Sequence, residues 1–187
     1  KEDVSWVKEV CPDYLIYNKG GDILDDEQAI NVPNIGGNQY DICKFIHDNY
    51  ENLPDVIAFL QANPFDHCSR EKFNRLIWNW YFTPIESFEH VEDGDATRKD
   101  YDGGYTEIND SWYIAEHNKK LVSENKELTC KFTTFDEFMG SLFTNYEHLN
   151  WIRFTPASQY IVTRANCLNY SKAFWKNLID IFPTIEG

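Results

Sequence analysis

The sequence has no run of about 18 apolar residues, so no membrane-spanning helix is expected. It also lacks a basic segment followed by an apolar stretch, the mark of a secretory leader. Cations are scarce. Against 31 Asp and Glu stand 17 Lys and Arg, a formal charge of −14 with a pI near 4.6. Nucleic-acid backbones are held by clustered Lys and Arg, so the charge argues against such a partner and none is expected. A single diphosphate is not, because a few amides, a lysine or a metal ion can seat it within an acidic surface. The five cysteines include no C-x-x-C pair, which argues against a zinc ribbon or a disulfide framework. Reduced structural thiols in a reducing, cytoplasmic compartment are the expectation. The patterns G-x-x-x-x-G-K, G-x-G-x-x-G, G-x-S-x-G and H-E-x-x-H are all missing. P-loop ATPases, serine hydrolases and zinc proteases are therefore unsupported.

What is present suits one domain over residues 1–187, with 42% apolar and 16% aromatic residues. That is enough to bury a core without staples. The chain opens on Lys1-Glu2-Asp3 and closes on Thr184-Ile-Glu-Gly187; we expect a fragment of a longer polypeptide that carries further domains.

Strands are expected at Tyr14–Tyr17, Ile30–Val32 and, most clearly, Val56–Leu60, whose unbroken apolar run suits a central strand covered on both faces. Helical spacing runs from Gln39 to Tyr50, from Ser69 to about Tyr81, over Phe135–Phe143 and from Ser171 to Phe182. Trp80, Phe138 and Trp175 fall on the apolar faces of these helices and are expected in the core. Trp151–Phe154 and Gln159–Val162 read as strands flanking a turn, and residues 82–110 as a long acidic loop. Strands alternating with helices predict an α/β fold with a mainly parallel central sheet and helices on both faces. Ligands of such sheets sit beyond the carboxyl ends of the strands. Asn18-Lys-Gly-Gly21 and Gln61-Ala-Asn-Pro-Phe-Asp66-His67 both lie there, and one crevice could hold both.

Asp66 follows the best strand, where a carboxylate can ligate a divalent cation that bridges phosphates. It can equally cap the next helix or form an Asx turn after Pro64. His67 is a second ligand or a carboxylate's partner. Asn18 and Lys19 offer an amide and an ammonium to a base or phosphate, or form an ordinary turn. The glycines before Gln39 leave first-turn N–H groups as a possible anion seat. Asp93-Gly-Asp95 and Asp100-Tyr-Asp102 are D-x-D triplets inside the long loop, as metal ligands or as a solvated acidic segment that orders over substrate. Trp112, Tyr113, Tyr101 and Tyr105 either stack on a sugar or pin the loop.

Several segments together carry a resemblance: Glu2-Asp-Val-Ser-Trp6, Tyr17-Asn-Lys-Gly20, Pro33-Asn-Ile-Gly36, Asp48-Asn-Tyr-Glu-Asn-Leu-Pro-Asp55, Phe59-Leu-Gln-Ala-Asn-Pro-Phe-Asp-His67 and Ser158-Gln-Tyr-Ile-Val-Thr-Arg164. In this order they resemble a family of GT-A-type glycosyltransferase domains of fungi, bacteria and large algal viruses, the chlorella viruses included, where such a domain builds capsid glycan. The resemblance implies a GT-A-like fold and a nucleotide-sugar domain. It implies transfer of a sugar from a UDP-sugar donor to a glycan or glycoprotein acceptor, with manganese or magnesium as cofactor, in the host cytoplasm if the protein is viral. Donor contacts would come from Tyr17, Asn18, Lys19, Asn34, Gln61, Asn63 and Gln159, and metal ligands from Asp66 and His67. The chain departs from the pattern where Gln61-Ala-Asn63 replaces the usual D-x-D, leaving Asp66 as the single carboxylate, and where Gly37-Asn-Gln-Tyr40 replaces an acidic–histidine pair. Asp93, Asp95 and Asp102, with Glu107, are the loop candidates for base or nucleophile. Two other readings stay open on composition: a carbohydrate-binding module without catalysis, and a glycoside hydrolase with paired loop carboxylates.

Overall fold

The computed structural model describes residues 3–23, 25–85, 105–107, 109, 113–128, 130–153 and 158–185. A short helix α1 (Trp6–Val10) leads into β1 (Ile16–Asn18), which pairs in parallel with β2 (Ala29–Asn31), Tyr17 opposite Ile30 and Asn18 opposite Asn31. Asn18 is buried, and its side-chain amide donates to Asn31 Oδ1 at 2.9 Å and to the Ile23 carbonyl at 3.2 Å. Those two bonds tie the short crossover to the strand pair.

Helix α2 (Gly37–Asp48) starts from Gly36, which sits in the left-handed region at φ 62°, followed by Gly37 at φ 57°. A Cβ on Gly36 would stand 2.6 Å from Cβ of Tyr40, so the position requires glycine on two counts. After a single 3₁₀ turn the buried Leu53 and then Pro54 deliver the chain to β3 (Val56–Phe59). The turn Pro64–Asp66 and helix α3 (Arg70–Leu76) follow, then β4 (Thr83–Pro84). Next come β5 (Tyr105–Glu107), α4 (Tyr113–Ser123), α5 (Phe135–Leu142), β6 (Trp151–Arg153), β7 (Tyr160–Thr163), α6 (Arg164–Leu168) and α7 (Lys172–Ile185).

β7 is the middle strand of an antiparallel sheet ordered β3-β7-β4, and β5 pairs antiparallel with β6. Alternation along β7 splits the core in two. Val162, with Ile57 and Phe59 of β3, packs against Ile42, Phe45 and Ile46 of α2 and Trp175 of α7. Ile161 points the other way, into Cys68, Phe73 and Ile85, with Trp6, Phe65, Leu76 and Ile77 around them. β7 thus carries helices on both of its faces. A third cluster joins Cys130, Phe132 and Ile181 to Phe138 and Leu142.

The molecule is mixed α/β, as expected, with one parallel strand pair and two antiparallel arrangements among the described residues. The expected strands and most helices recur within a few residues. Two expectations change. Among the described residues β3 lies at the edge of its sheet with Val56 and Ala58 exposed, in place of the expected central strand covered on both faces. Its apolar run serves one face only, through Ile57 and Phe59. Trp80 is 78% exposed rather than buried. α3 stops at Leu76, so the helical phase that would bring Trp80 inward is lost. Asn79 instead donates to Thr83 Oγ1 at 3.2 Å as the chain turns toward β4.

Candidate functional site

The end of β3 is held by one side chain from β7's flank. Gln159 is 1% exposed, and its amide nitrogen donates to the carbonyls of Pro64 (3.3 Å) and Ile85 (3.4 Å). Its oxygen accepts from the Gln61 backbone N–H at 3.4 Å. Three chain segments therefore meet on one amide, with both its donor and acceptor capacity in use. The Gln61–His67 segment is also fastened from α1, where the Trp6 indole N–H donates to the Ala62 carbonyl at 2.9 Å.

Within that frame Asn63 donates to Asp66 Oδ1 at 2.7 Å. Asp66 is exposed and His67 half-buried at the end of the turn. Asp66 does not cap α3: Ser69 does, its Oγ accepting from the Lys72 N–H. The carboxylate is thus oriented by an amide and faces solvent, while the capping task falls on a residue three places later.

Lys19 and Asn18 are spent differently. The Lys19 ammonium donates to the carbonyls of Ile35 (3.1 Å) and Gly37 (2.9 Å) and pairs with Asp41 at 2.9 Å. It closes the glycine turn before α2. Burial pushes the Asp41 carboxyl up, and the Lys19 hydrogen bond and charge pull the other way. Asp41 Oδ1 is buried without a partner. Tyr17, half-buried next to this corner, is pushed up to about 12, first by burial and then by the charges of Asp48 and Asp41 and by Tyr40. A phenol raised so far stays neutral at physiological pH. Asn34 is exposed in the same turn. The hydrogen bonds and ion pair of Asn18 and Lys19 run to the α2 entry and the β1–β2 crossover, whereas those of Asn63 and Gln159 run to the Pro64 turn and β4. Among the described residues the two segments foreseen for one crevice share no hydrogen-bond partner, and the described link between their surroundings is Gln39 of α2, which donates to Ser158 beside Gln159 at 2.8 Å. Asp93, Asp95 and Asp102 lie outside the described residues.

A cavity of about 350 Å³ opens beside Asn63, lined by Asp3, Ser5, Trp6, Glu9, Phe65 and Arg70 as well. The Arg70 guanidinium lies 4.0 Å over the Phe65 ring, and Trp6 meets Phe65 edge-on at 5.7 Å. Residue reading alone did not mark this pocket. Helix α1 is too short to show periodicity, and Arg70 reads as an ordinary first-turn residue. A second constellation also escaped it. Asp136 accepts from Tyr146 (2.7 Å), Asn109 (3.0 Å) and the His148 imidazole, whose other nitrogen lies 2.8 Å from Asn150 Oδ1. These hydrogen bonds, His148 first, hold the Asp136 carboxyl below its ordinary value. Asp136 reads in sequence only as an acid favoured by the helix dipole.

The sequence model of a family described as "Protein of unknown function (DUF3431)" matches residues 1–185. The chain belongs to the DUF3431 family. Neither a curated protein nor a solved structure matches it.

For a divalent cation, the Pro64 turn of the DUF3431 chain offers the exposed carboxylate of Asp66, followed in sequence by His67. No group of three or more His, Cys, Asp or Glu gathers among the described residues. That donor set fits manganese or magnesium only if most ligands come from substrate oxygens and water, which is how these ions sit on diphosphates.

Proposed function

We propose that the chain is a metal-dependent glycosyltransferase that moves a sugar from a UDP-sugar donor to a glycan acceptor. The observation carrying this reading is the Asn63–Asp66 pair. An exposed carboxylate oriented by a neighbouring amide, in the turn that follows β3, with that amide lining a cavity, is suited to a cation bound mainly through a diphosphate. The likeness of the Phe59–His67 block to GT-A-type domains supports the same conclusion, and the reading brings with it a GT-A-like, mainly parallel sheet beyond the one parallel pair described.

In this proposal Asp66 and His67 hold the metal, and Gln159 keeps Gln61 and the Pro64 turn in register beneath it. A divalent ion there would stabilise negative charge on the leaving nucleoside diphosphate. Lys19 acts indirectly: with its ammonium on two carbonyls and Asp41, it shapes the turn before α2. Tyr17, kept neutral, can donate a hydrogen bond at pH 7 without adding charge. UDP added at constant manganese should raise the melting temperature further, and Asp66→Ala should abolish that further rise. Absence of a shift with any nucleoside diphosphate would refute the proposal.

A carbohydrate-binding module is the second reading. One observation favours it: the lysine best placed by sequence to meet a phosphate is occupied by protein oxygens.

A further inference from the structure

The cavity between α1 and the Pro64 turn has a lining that selects among ligand classes. It presents two aromatic rings (Trp6 and Phe65), two carboxylates (Asp3 and Glu9), one guanidinium (Arg70), one amide (Asn63) and one hydroxyl (Ser5). A phosphate or other anion would face both carboxylates with a single cation to offset them. A simple cation would face Arg70. A nucleobase finds rings, but Trp6 and Phe65 meet edge-on at 73° and do not form a parallel slot. Sugar hydroxyls both donate and accept, so they can satisfy carboxylates, guanidinium and amide together, while the ring's C–H face packs on an aromatic.

Size and rigidity agree. About 350 Å³ lies at the small end of ligand pockets, room for one or two sugar rings. The aromatic wall is fixed: Trp6 is anchored by its bond to Ala62 and meets Phe73 as well as Phe65 edge-on, each at 5.7 Å. Arg70, stacked on Phe65, is oriented before any ligand arrives. Asn63 lines the cavity and also bonds Asp66, so an occupant sits one side chain from the carboxylate assigned to the metal.

We infer that this cavity binds a neutral sugar ring, through Glu9, Arg70 and Asn63 with Trp6 and Phe65 as its apolar wall, and that the ring belongs to the acceptor. The acceptor role rests on the transferase reading; the preference for a neutral sugar does not. The test titrates the full chain with methyl glycosides of glucose, galactose, mannose, xylose, fucose and rhamnose, following ligand saturation-transfer signals by NMR, with inorganic phosphate as the charged control. At least one glycoside should bind saturably. Glu9→Ala and Arg70→Ala, both at exposed positions, should each weaken it roughly five-fold or more, the loss of about one hydrogen bond, and Glu9→Ala should leave the melting temperature of the free protein unchanged. No saturable glycoside, an affinity in both variants equal to the parent's, or tighter binding of phosphate than of every glycoside would overturn the inference. The same samples, given UDP and manganese, separate the two claims. Sugar binding without a nucleotide response keeps the pocket and removes the transferase; a nucleotide response without sugar binding does the reverse.

Discussion

A buried glutamine amide has two N–H groups and an oxygen to satisfy, and Gln159 does so by joining the Pro64 turn, β4's exit and the Gln61 backbone. Gln159→Leu keeps the volume but leaves the Ile85 carbonyl and the Gln61 N–H without this partner, while the Pro64 carbonyl keeps the His67 N–H. Each of the two stranded groups costs about 1–3 kcal/mol, so a loss of roughly 2–6 kcal/mol is expected in urea unfolding. A stability change with no ligand present assigns Gln159 to the frame, while an effect confined to UDP binding would assign it to the donor site. Lys19 supports a second prediction. Lys19→Met leaves Asp41 as an unpaired, largely buried carboxylate, a loss on the order of 2–4 kcal/mol at pH 7. Burial already raises the Asp41 pKa, and removing Lys19 raises it further. A carboxyl whose folded pKa exceeds its unfolded value favours the fold when protonated, and that contribution fades as pH rises through the folded pKa. The deficit of Lys19→Met should therefore shrink as pH falls toward about 4, measured as the difference in unfolding free energy between variant and parent. A deficit independent of pH would show that the lysine's carbonyl contacts, not its charge, matter.

At the level of elements, what was legible in the sequence was local. Val56–Phe59, the α2 helix and the final helix stand out because period-2 and 3.6-residue patterns and the Leu53-Pro54 stop are written into adjacent residues. Strand order was not, since β7 reaches β3 across about a hundred residues and pairs with it antiparallel. Exposure of β3 on one face arises because the Cys68–Phe73–Ile85 cluster packs on Ile161 of β7 and not on Val56 or Ala58, which the composition of β3 does not show. The same limit hid the pocket, which needs α1, the Pro64 turn and Arg70 at once. Asp66 and Asn63 stand out in the sequence within one short segment, but the hydrogen bond between them and the partners of Lys19 do not. Glycine at the α2 entry is a local feature with a measurable cost. Gly36→Ala forces a Cβ into the left-handed region and against Tyr40. Because the clash is with the Cβ of Tyr40 on α2, repacking cannot relieve it cheaply, and a loss of about 1–3 kcal/mol is expected. Gly36→Asn, which tolerates positive φ, should remain destabilised by the contact, whereas Gly21→Asn, at φ 65° with open space around it, should be nearly neutral. Urea midpoints of the three variants separate contact from backbone strain.

For the whole molecule, a formal charge of −14 over 187 residues changes how a metal test must be read. Like charges repel most in the compact state, so any salt that screens them stabilises the fold. Divalent ions screen more strongly than sodium at equal concentration, and manganese alone should raise the melting temperature without occupying any designed site. Asp66→Ala removes one of 31 acidic side chains, and should leave this general rise almost intact. The specific effect is what remains when UDP is added at constant manganese. It follows mass action, about 2.7 kcal/mol at a ligand concentration a hundred times Kd, and in Asp66→Ala it should vanish while the nonspecific rise persists. A parent and a variant that shift equally on UDP addition would place the nucleotide away from Asp66. Melting curves at fixed ionic strength, with calcium replacing manganese in a parallel series, distinguish the outcomes. Calcium matches the charge but prefers more ligands at longer distances, so a response equal for both ions would be screening and not coordination.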